Sequence, residues 1–275
     1  MQHMIVFLDR DTVGAQLRQP NFPHSYKEYA DTPVACIVDR LRDATIAILN
    51  KVPMRAETLA QLPKLKLIAV AATGTDIVDK PYCRQNGITV VNIRHYAFNT
   101  VPEHVFALIF ALRRNLIAYR DDVRNGAWQR ASQFCFFPHP IRDIAGSTLG
   151  IIGFGELGKS VARRAEALGM QVLATDVVAQ PGLVDLFTIL KESDIVTLHV
   201  PLTQQTRSMI GSKELAMMRR DAILINTARG GLVDEQALAL ALKTGVIGKA
   251  ATARLALERP SWRTVCDSKI TAHTD

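Results

Sequence analysis

Leu149-Gly150-Ile151-Ile152-Gly153-Phe154-Gly155-Glu156-Leu157-Gly158 is the stretch on which the reading of this chain turns. An apolar run reads as a strand, breaks into three spaced glycines and opens into a helix, the context that gives the G-x-G-x-x-G pattern meaning. Gly153 allows a tight turn, Gly155 keeps side-chain atoms away from an approaching pyrophosphate, and Gly158 lets the helix pack against its strand. The helix N-terminus then offers free N–H groups and the positive end of its dipole to the phosphates.

The residues that follow fit the same unit. Leu157, Val161, Ala165 and Leu168 recur at helical spacing, with Lys159, Arg163, Arg164 and Glu166 elsewhere, and Gly169 suits a helix stop. A second strand, Gln171-Val172-Leu173-Ala174-Thr175, leads to Asp176, eighteen residues past Gly158. An acid at that position accepts hydrogen bonds from ribose hydroxyls and repels a 2′-phosphate, which favours NAD over NADP.

Working outward, 275 residues suffice for two domains with sizeable cores. A composition of 48% hydrophobic and 21% charged residues is that of a globular protein. The most apolar run, Val105 to Leu112, is too short to cross a bilayer, and Met4 to Leu8 is strand-length rather than a secretory signal. Cys36, Cys83, Cys135 and Cys266 follow neither a metal-site nor a disulfide spacing, which suggests a reducing cytoplasm and no metal. The formal charge of +7 is spread among acids without a nucleic-acid-binding motif. It is read as a solvated surface that helps attract an anionic substrate.

Before the glycine stretch, Met4 to Leu8, Val34 to Val38, Ile46 to Leu49, Leu65 to Ala71 and Ile88 to Val91 read as strands. Helices are expected at Arg55 to Leu62 and Asp76 to Gln85. Such alternation predicts a parallel sheet covered by helices. Ligands of these sheets lie beyond the carboxyl ends of strands, so Asn50-Lys51 and Ala72-Thr73-Gly74-Thr75 are either ligand-facing or ordinary loops. A long helix is expected from Thr100 or Val101 to Tyr119, with Thr100 as its cap and Pro102 in its first turn. His104 within it reads as structural, as does His139, which has no evident carboxylate partner in sequence. Trp128, Phe134, Phe136 and Phe137 could form a satellite core or a partner surface. After Asp176, strands are expected at Ile195 to Val200, Ala222 to Asn226 and Val246 to Thr252. Helices are expected at Ser212 to Arg219 and at Glu235 to Lys243, the second capped by Asp234 and ended by Gly245. The fold class is therefore α/β, a doubly wound parallel sheet.

Three further motifs join the glycine fingerprint: Ile225-Asn226-Thr227-Ala228-Arg229-Gly230-Gly231-Leu232-Val233-Asp234, Leu198-His199-Val200-Pro201-Leu202-Thr203 and Asn99-Thr100-Val101-Pro102-Glu103-His104. Together they resemble the NAD-dependent D-2-hydroxyacid dehydrogenase family from about Met4 to the last residue. Val91-Asn92-Ile93-Arg94-His95-Tyr96 with Asn50-Lys51 looks most like its glycerate dehydrogenase, or hydroxypyruvate reductase, branch. The resemblance implies a flavodoxin-like substrate domain over residues 1–99 and an NAD-binding Rossmann domain over 100–275. It implies Arg229 as the group that binds the substrate carboxylate and polarises its carbonyl, His273 as general acid and base, and Glu258 as the carboxylate that orients it. Cofactor contacts are implied at Thr100, Gly153, Phe154, Gly155, Glu156, Leu157, Gly158, Asp176, His199, Pro201, Thr227, Ala228 and Arg229, and substrate contacts at Lys51, Thr73, Gly74, Thr75 and Arg229. Relatives are mostly dimers joined through cofactor domains, so a homodimer is expected.

The chain also departs from the family pattern. Ala253-Arg254 stands where Asp-Val is usual, Glu258-Arg259 where Glu-Pro is usual, and the stretch from Glu258 to His273 is shorter than in the family. Family members continue through a helix that returns to the first domain, and the substrate domain is expected here to lack it. These differences leave open a second reading, a catalytically impaired NAD-binding regulator or a fragment of an enzyme.

Overall fold

The computed structural model describes residues 3–18, 20–94, 96–252 and the strand 270–272. The chain divides into two compact units, Met1–Tyr96 and Ala97–Asp275.

The first unit holds five parallel strands: β1 (His3–Phe7), β2 (His24–Glu28), β3 (Ile46–Leu49), β4 (Leu67–Val70) and β5 (Thr89–Asn92). Their order is β2-β1-β3-β4-β5, so the winding reverses between β1 and β3. Helices α1 (Ile37–Leu41), α2 (Ala56–Leu59) and α3 (Lys80–Gln85) connect them. Val6, Ala47, Leu49, Ile68 and Val70 join Ile37, Leu41, Leu59 and Cys83 in one buried cluster. The alternation of strand side chains between faces puts these strand residues on the helix side.

One expected strand fails in this unit. Val34 to Val38 is no strand: Val34–Cys36 form a 3-10 turn that runs into α1. Val34 is exposed, and the buried residues of this helix, Ile37 and Leu41, are four apart, a helical rather than a strand spacing. The second strand is instead His24–Glu28, a polar edge strand with no apolar run to announce it.

In the second unit, β6 (Thr148–Ile152), β7 (Gln171–Thr175), β8 (Ile195–Leu198), β9 (Ile223–Asn226), β10 (Lys249–Thr252) and β11 (Ile270–Ala272) form a parallel sheet of order β7-β6-β8-β9-β10-β11. The helices are α4 (Ala97–Arg113), α5 (Leu116–Arg124), α6 (Ala127–Arg130), α7 (Glu156–Ala167), α8 (Leu186–Glu192), α9 (Ser212–Met217) and α10 (Glu235–Thr244). Both faces are covered. Leu149, Ile151, Ile195, Ile223 and Ile225 pack with residues of α4 and α7, whereas Ile152, Val196, Leu198 and Leu224 pack with those of α8, α9 and α10. A strand buried on both sides reads as a continuous apolar run, which is why β6, β8 and β9 are visible in the sequence.

The long helix differs from expectation at both ends. It begins at Ala97, so Thr100 lies inside its first turns and does not cap it. Pro102 has no N–H for the carbonyl of Phe98, four residues back. The Ser160 hydroxyl of α7 donates to that carbonyl at 2.8 Å, supplying the missing partner and allowing proline in the interior. The helix ends at Arg113, and Asn115 takes a left-handed conformation (φ 50°) before α5 starts.

Candidate functional site

The second sheet winds in opposite directions on either side of the β6/β8 boundary, and a crevice opens beyond the carboxyl ends of strands at such a switch point. The glycine motif lies there. Gly153 has φ +99°, and an added Cβ would stand 2.7 Å from the backbone of His199, so the turn needs glycine. At Gly158 an added Cβ would fall 2.1 Å from the Gly153 carbonyl oxygen, so α7 packs too closely on the turn for any side chain.

Gly155 behaves differently. It is the N-cap of α7, contributes no side-chain cap and is exposed, and a Cβ there would meet no described atom within 4 Å. The first turn of α7 thus presents uncapped N–H groups to open space, as an anionic group requires.

Asp176 follows β7 and closes the motif. Its Oδ2 accepts from Phe154 N at 2.6 Å and its Oδ1 from Val178 N at 3.0 Å. A carboxylate has about four lone-pair sites, so two remain for ribose hydroxyls. At the end of β8, His199 N donates to Ile152 O at 2.7 Å, and the His199 ring nitrogen Nε2 lies 3.0 Å from Thr197 Oγ1. Burial pushes the imidazole down to about 4, so at neutral pH His199 is uncharged.

Beyond β9, Asn226 organises the turn that carries the candidate arginine. Its side chain is buried, accepts from Ala228 N at 3.1 Å and donates to Arg229 O at 2.8 Å. The guanidinium of Arg229 donates to Ala228 O at 2.8 Å and is half-buried. The hydroxyl of Thr227 is buried with no described hydrogen-bond partner. An orphan hydroxyl inside the predicted cofactor region, at the carboxyl edge of the sheet that also carries the uncapped α7, fits a group with many acceptors such as a dinucleotide. Thr100 is exposed near the start of α4, where Asn99 accepts from Arg164 of α7 at 2.8 Å. The remaining predicted contacts are also described: Phe154 is partly buried, Glu156 exposed, Leu157 partly buried, Pro201 exposed and Ala228 partly buried.

In the first unit, the segment after β4 is held from behind. Asn92 Nδ2 donates to Thr73 O at 2.7 Å, Ile93 N to Ala72 O at 3.2 Å and Val78 N to Thr75 O at 3.1 Å. Among the described residues, the backbone N–H groups of Thr73, Gly74 and Thr75 have no acceptor. Successive unpaired N–H groups make an anion-binding concavity. Lys51, exposed at the end of β3, belongs to the same carboxyl edge of the sheet.

The structure thus brings Gly153, His199 and the Thr227-Ala228-Arg229 turn to three adjacent strand ends, and Lys51 and Thr73-Gly74-Thr75 to the corresponding edge of the other unit. Glu258, His273 and the Ala253-Arg254 departure lie outside the described residues. Sequence reasoning gave Asn226 no role, although its place between an apolar strand and the arginine was the available signal. His139, without a partner in the sequence reading, has one across space: its Nε2 lies 2.7 Å from Asp122 Oδ2, and its carbonyl accepts from Tyr119 OH at 2.7 Å. It pins the 131–146 segment to α5. Among the described residues no group of acids, histidines and cysteines could hold a metal ion, and no helix is long and apolar enough to cross a membrane.

Comparison with known proteins gives a consistent result. Residues 106–269 match the family described as D-isomer specific 2-hydroxyacid dehydrogenase, NAD binding domain. The chain is 62% identical over 272 residues to a glycerate dehydrogenase of Methylorubrum extorquens, covering 98% of this chain and 87% of that protein. It is 32% identical over 232 residues to a hydroxypyruvate reductase of Blautia hydrogenotrophica, covering 82% and 72%. Among solved structures, D-lactate dehydrogenase from Aquifex aeolicus complexed with NAD and lactic acid aligns with a TM-score of 0.81 at 27% identity, covering 98% and 87%.

Proposed function

Because the chain belongs to the D-isomer specific 2-hydroxyacid dehydrogenase family, we propose that it reduces a small 2-oxo acid, hydroxypyruvate or glyoxylate, with NADH. The observation that carries the reading is the meeting of three strand ends at the switch point of the second sheet. These bring together the uncapped N-terminus of α7, the neutral His199 and the Asn226-braced turn of Arg229. Gly153 to Gly158 and Thr227 would hold the dinucleotide, with Asp176 on its ribose. When bound, the reduced nicotinamide supplies the hydride that the carbonyl carbon accepts.

The chain's own groups supply the rest. Arg229 binds the substrate carboxylate and draws electron density from the carbonyl, work suited to a planar, permanently charged fork. In the first unit, the N–H groups of Thr73, Gly74 and Thr75, with Lys51 at the same carboxyl edge, are suited to receive an anion. On the family motif, His273 delivers a proton to the carbonyl oxygen and Glu258 holds that histidine in its charged form. With that hydride and this proton the 2-oxo acid gains a C–H and an O–H bond and becomes a 2-hydroxy acid. Residues 1–99 act as the substrate domain and 100–275 as the cofactor domain.

Loss of NADH absorbance should follow addition of hydroxypyruvate or glyoxylate, faster than with pyruvate. Tight NADH binding with no turnover on any of the three would instead support the regulatory reading.

The working form is a cytoplasmic homodimer. Cys36, Cys83 and Cys135 are free thiols, which fits a reducing compartment. Around α6, Trp128, Phe134 and Phe137 expose 48%, 89% and 75% of their surface, and Leu116, Ile117 and Val123 of α5 are also exposed. Side chains of this kind gathered on one stretch suit the centre of an isologous interface. Sedimentation at micromolar concentration should give about twice the 30.3 kDa chain mass, and Phe134→Asp with Phe137→Asp should return the monomer. A wild-type monomer at that concentration refutes the dimer.

A further inference from the structure

We propose that Asp9 is a positioning residue for substrate binding, fixing the strand-end peptide that carries Lys51. The proposal rests on the reductase reading above. Asp9 follows β1 and is 1% exposed, an unusual environment for a carboxylate. Its Oδ2 accepts from Lys51 N at 2.6 Å, and Asn50 N donates to the same carboxylate, 2.9 Å from Oδ1 and 3.2 Å from Oδ2.

A second set of bonds closes the loop around it. Thr12 N donates to Asp9 O at 3.1 Å, and Thr12 Oγ1 donates to the same carbonyl at 2.7 Å. Asn50 Nδ2 in turn donates to Thr12 Oγ1 at 3.0 Å and to Thr12 O at 3.1 Å. The end of β1 and the end of β3 are therefore clamped to each other through side chains, beyond the reach of the sheet ladder.

The place of this clamp gives it a function. In the order β2-β1-β3-β4-β5 the winding reverses between β1 and β3, and ligands of such sheets sit at that boundary. Asp9 directs its negative charge inward, onto two amide donors. Lys51, whose backbone those donors belong to, is exposed at the carboxyl edge. The acid thereby orders a cationic residue at the switch point without presenting an anion to a carboxylate substrate. A carboxylate held by amide donors is fixed more firmly than a neutral acceptor would be. Asparagine in its place loses the charge and turns one amide N–H toward groups that are themselves donors.

The test is a double-mutant cycle read in steady-state kinetics with hydroxypyruvate and NADH. Asp9→Asn should raise KM for hydroxypyruvate about tenfold, since small misplacements of a binding group carry large kinetic penalties, with kcat and the Kd for NADH within about twofold. Lys51→Met should raise KM by a similar factor, and the double variant no further, because Asp9 acts through Lys51. Thr12→Val, which alters the exposed side of the clamp, should raise KM about threefold and have no effect in the Lys51→Met background. It serves as the test if Asp9→Asn does not fold. Equal losses in kcat and NADH affinity, or additive effects in the cycle, overturn the assignment. If the wild type turns over but both clamp variants keep its KM, Asp9 alone loses its role. If the wild type reduces no 2-oxo acid, the functional reading falls and this proposal with it.

Discussion

Replacing Arg229 by alanine is expected to lower kcat/KM for hydroxypyruvate by on the order of 10³-fold, about 4 kcal/mol of transition-state stabilisation. The expectation follows from where the side chain stands. Its backbone is held by Asn226, whose Nδ2 donates to the Arg229 carbonyl and whose Oδ1 accepts from Ala228 N. Neither bond involves the guanidinium, so truncation forfeits its own bond to the Ala228 carbonyl but should leave the Asn226 brace in place. What is lost is a permanent positive charge and a flat, forked set of donors suited to a carboxylate. Lysine keeps the charge but not the fork, and Arg229→Lys should recover only part of the rate. The thermal midpoint should stay close to that of the wild type, which separates a site effect from unfolding. An Arg229→Ala protein with a normal rate would refute the role of this residue and leave the fold assignment untouched.

The parts of the fold that were legible are those whose burial leaves a mark on the sequence. β6, β8 and β9 are buried on both faces and so appear as apolar runs, and Asp234 caps α10 through bonds to Gln236 N and Ala237 N as its type and position suggest. Not every missed part lacks such a mark, but β2 does. β2 is an exposed edge of alternating polar residues. The seven-residue α8 had a usable signal: Asp185 accepts from Thr188 N, and Leu186, Ile189 and Leu190 follow at helical spacing. The start of α4 was misread because a proline normally marks a first turn, whereas here a serine on another helix satisfies the carbonyl left by Pro102. No local rule contains that contact.

The same distinction holds for the site. Glycines, Asp176 and Arg229 could be named from spacing and resemblance because their chemistry is local. Asn226 and Asp9 could not, since what they do depends on which backbone donors lie next to their side chains. The polar groups that hold a site in place are set by tertiary neighbours, and a residue type alone does not reveal them.

Gly155→Val should raise the Kd for NADH about 100-fold while leaving thermal stability within about 1 kcal/mol of the wild type. These two outcomes are coupled through the geometry of one residue. Gly155 has φ −74° and ψ −164°, an extended conformation that any residue adopts, and a Cβ there meets no described atom within 4 Å. The fold therefore accepts a side chain without rearrangement. The space it would fill is the approach to the first-turn N–H groups of α7, and isopropyl methyls in that space keep a pyrophosphate from them. Loss of two such charge-assisted bonds, at about 1.5 kcal/mol or more each, accounts for the factor. Gly158→Ala provides the contrast. Its methyl would stand 2.1 Å from the Gly153 carbonyl oxygen, so α7 must move, and both stability and NADH affinity should fall. Fluorescence titration of NADH beside a thermal melt reads both variants. Unaltered NADH affinity in Gly155→Val would mean that the phosphates do not rest on this helix terminus. The assignment of the second unit's site would then fail even if the family and the fold stood.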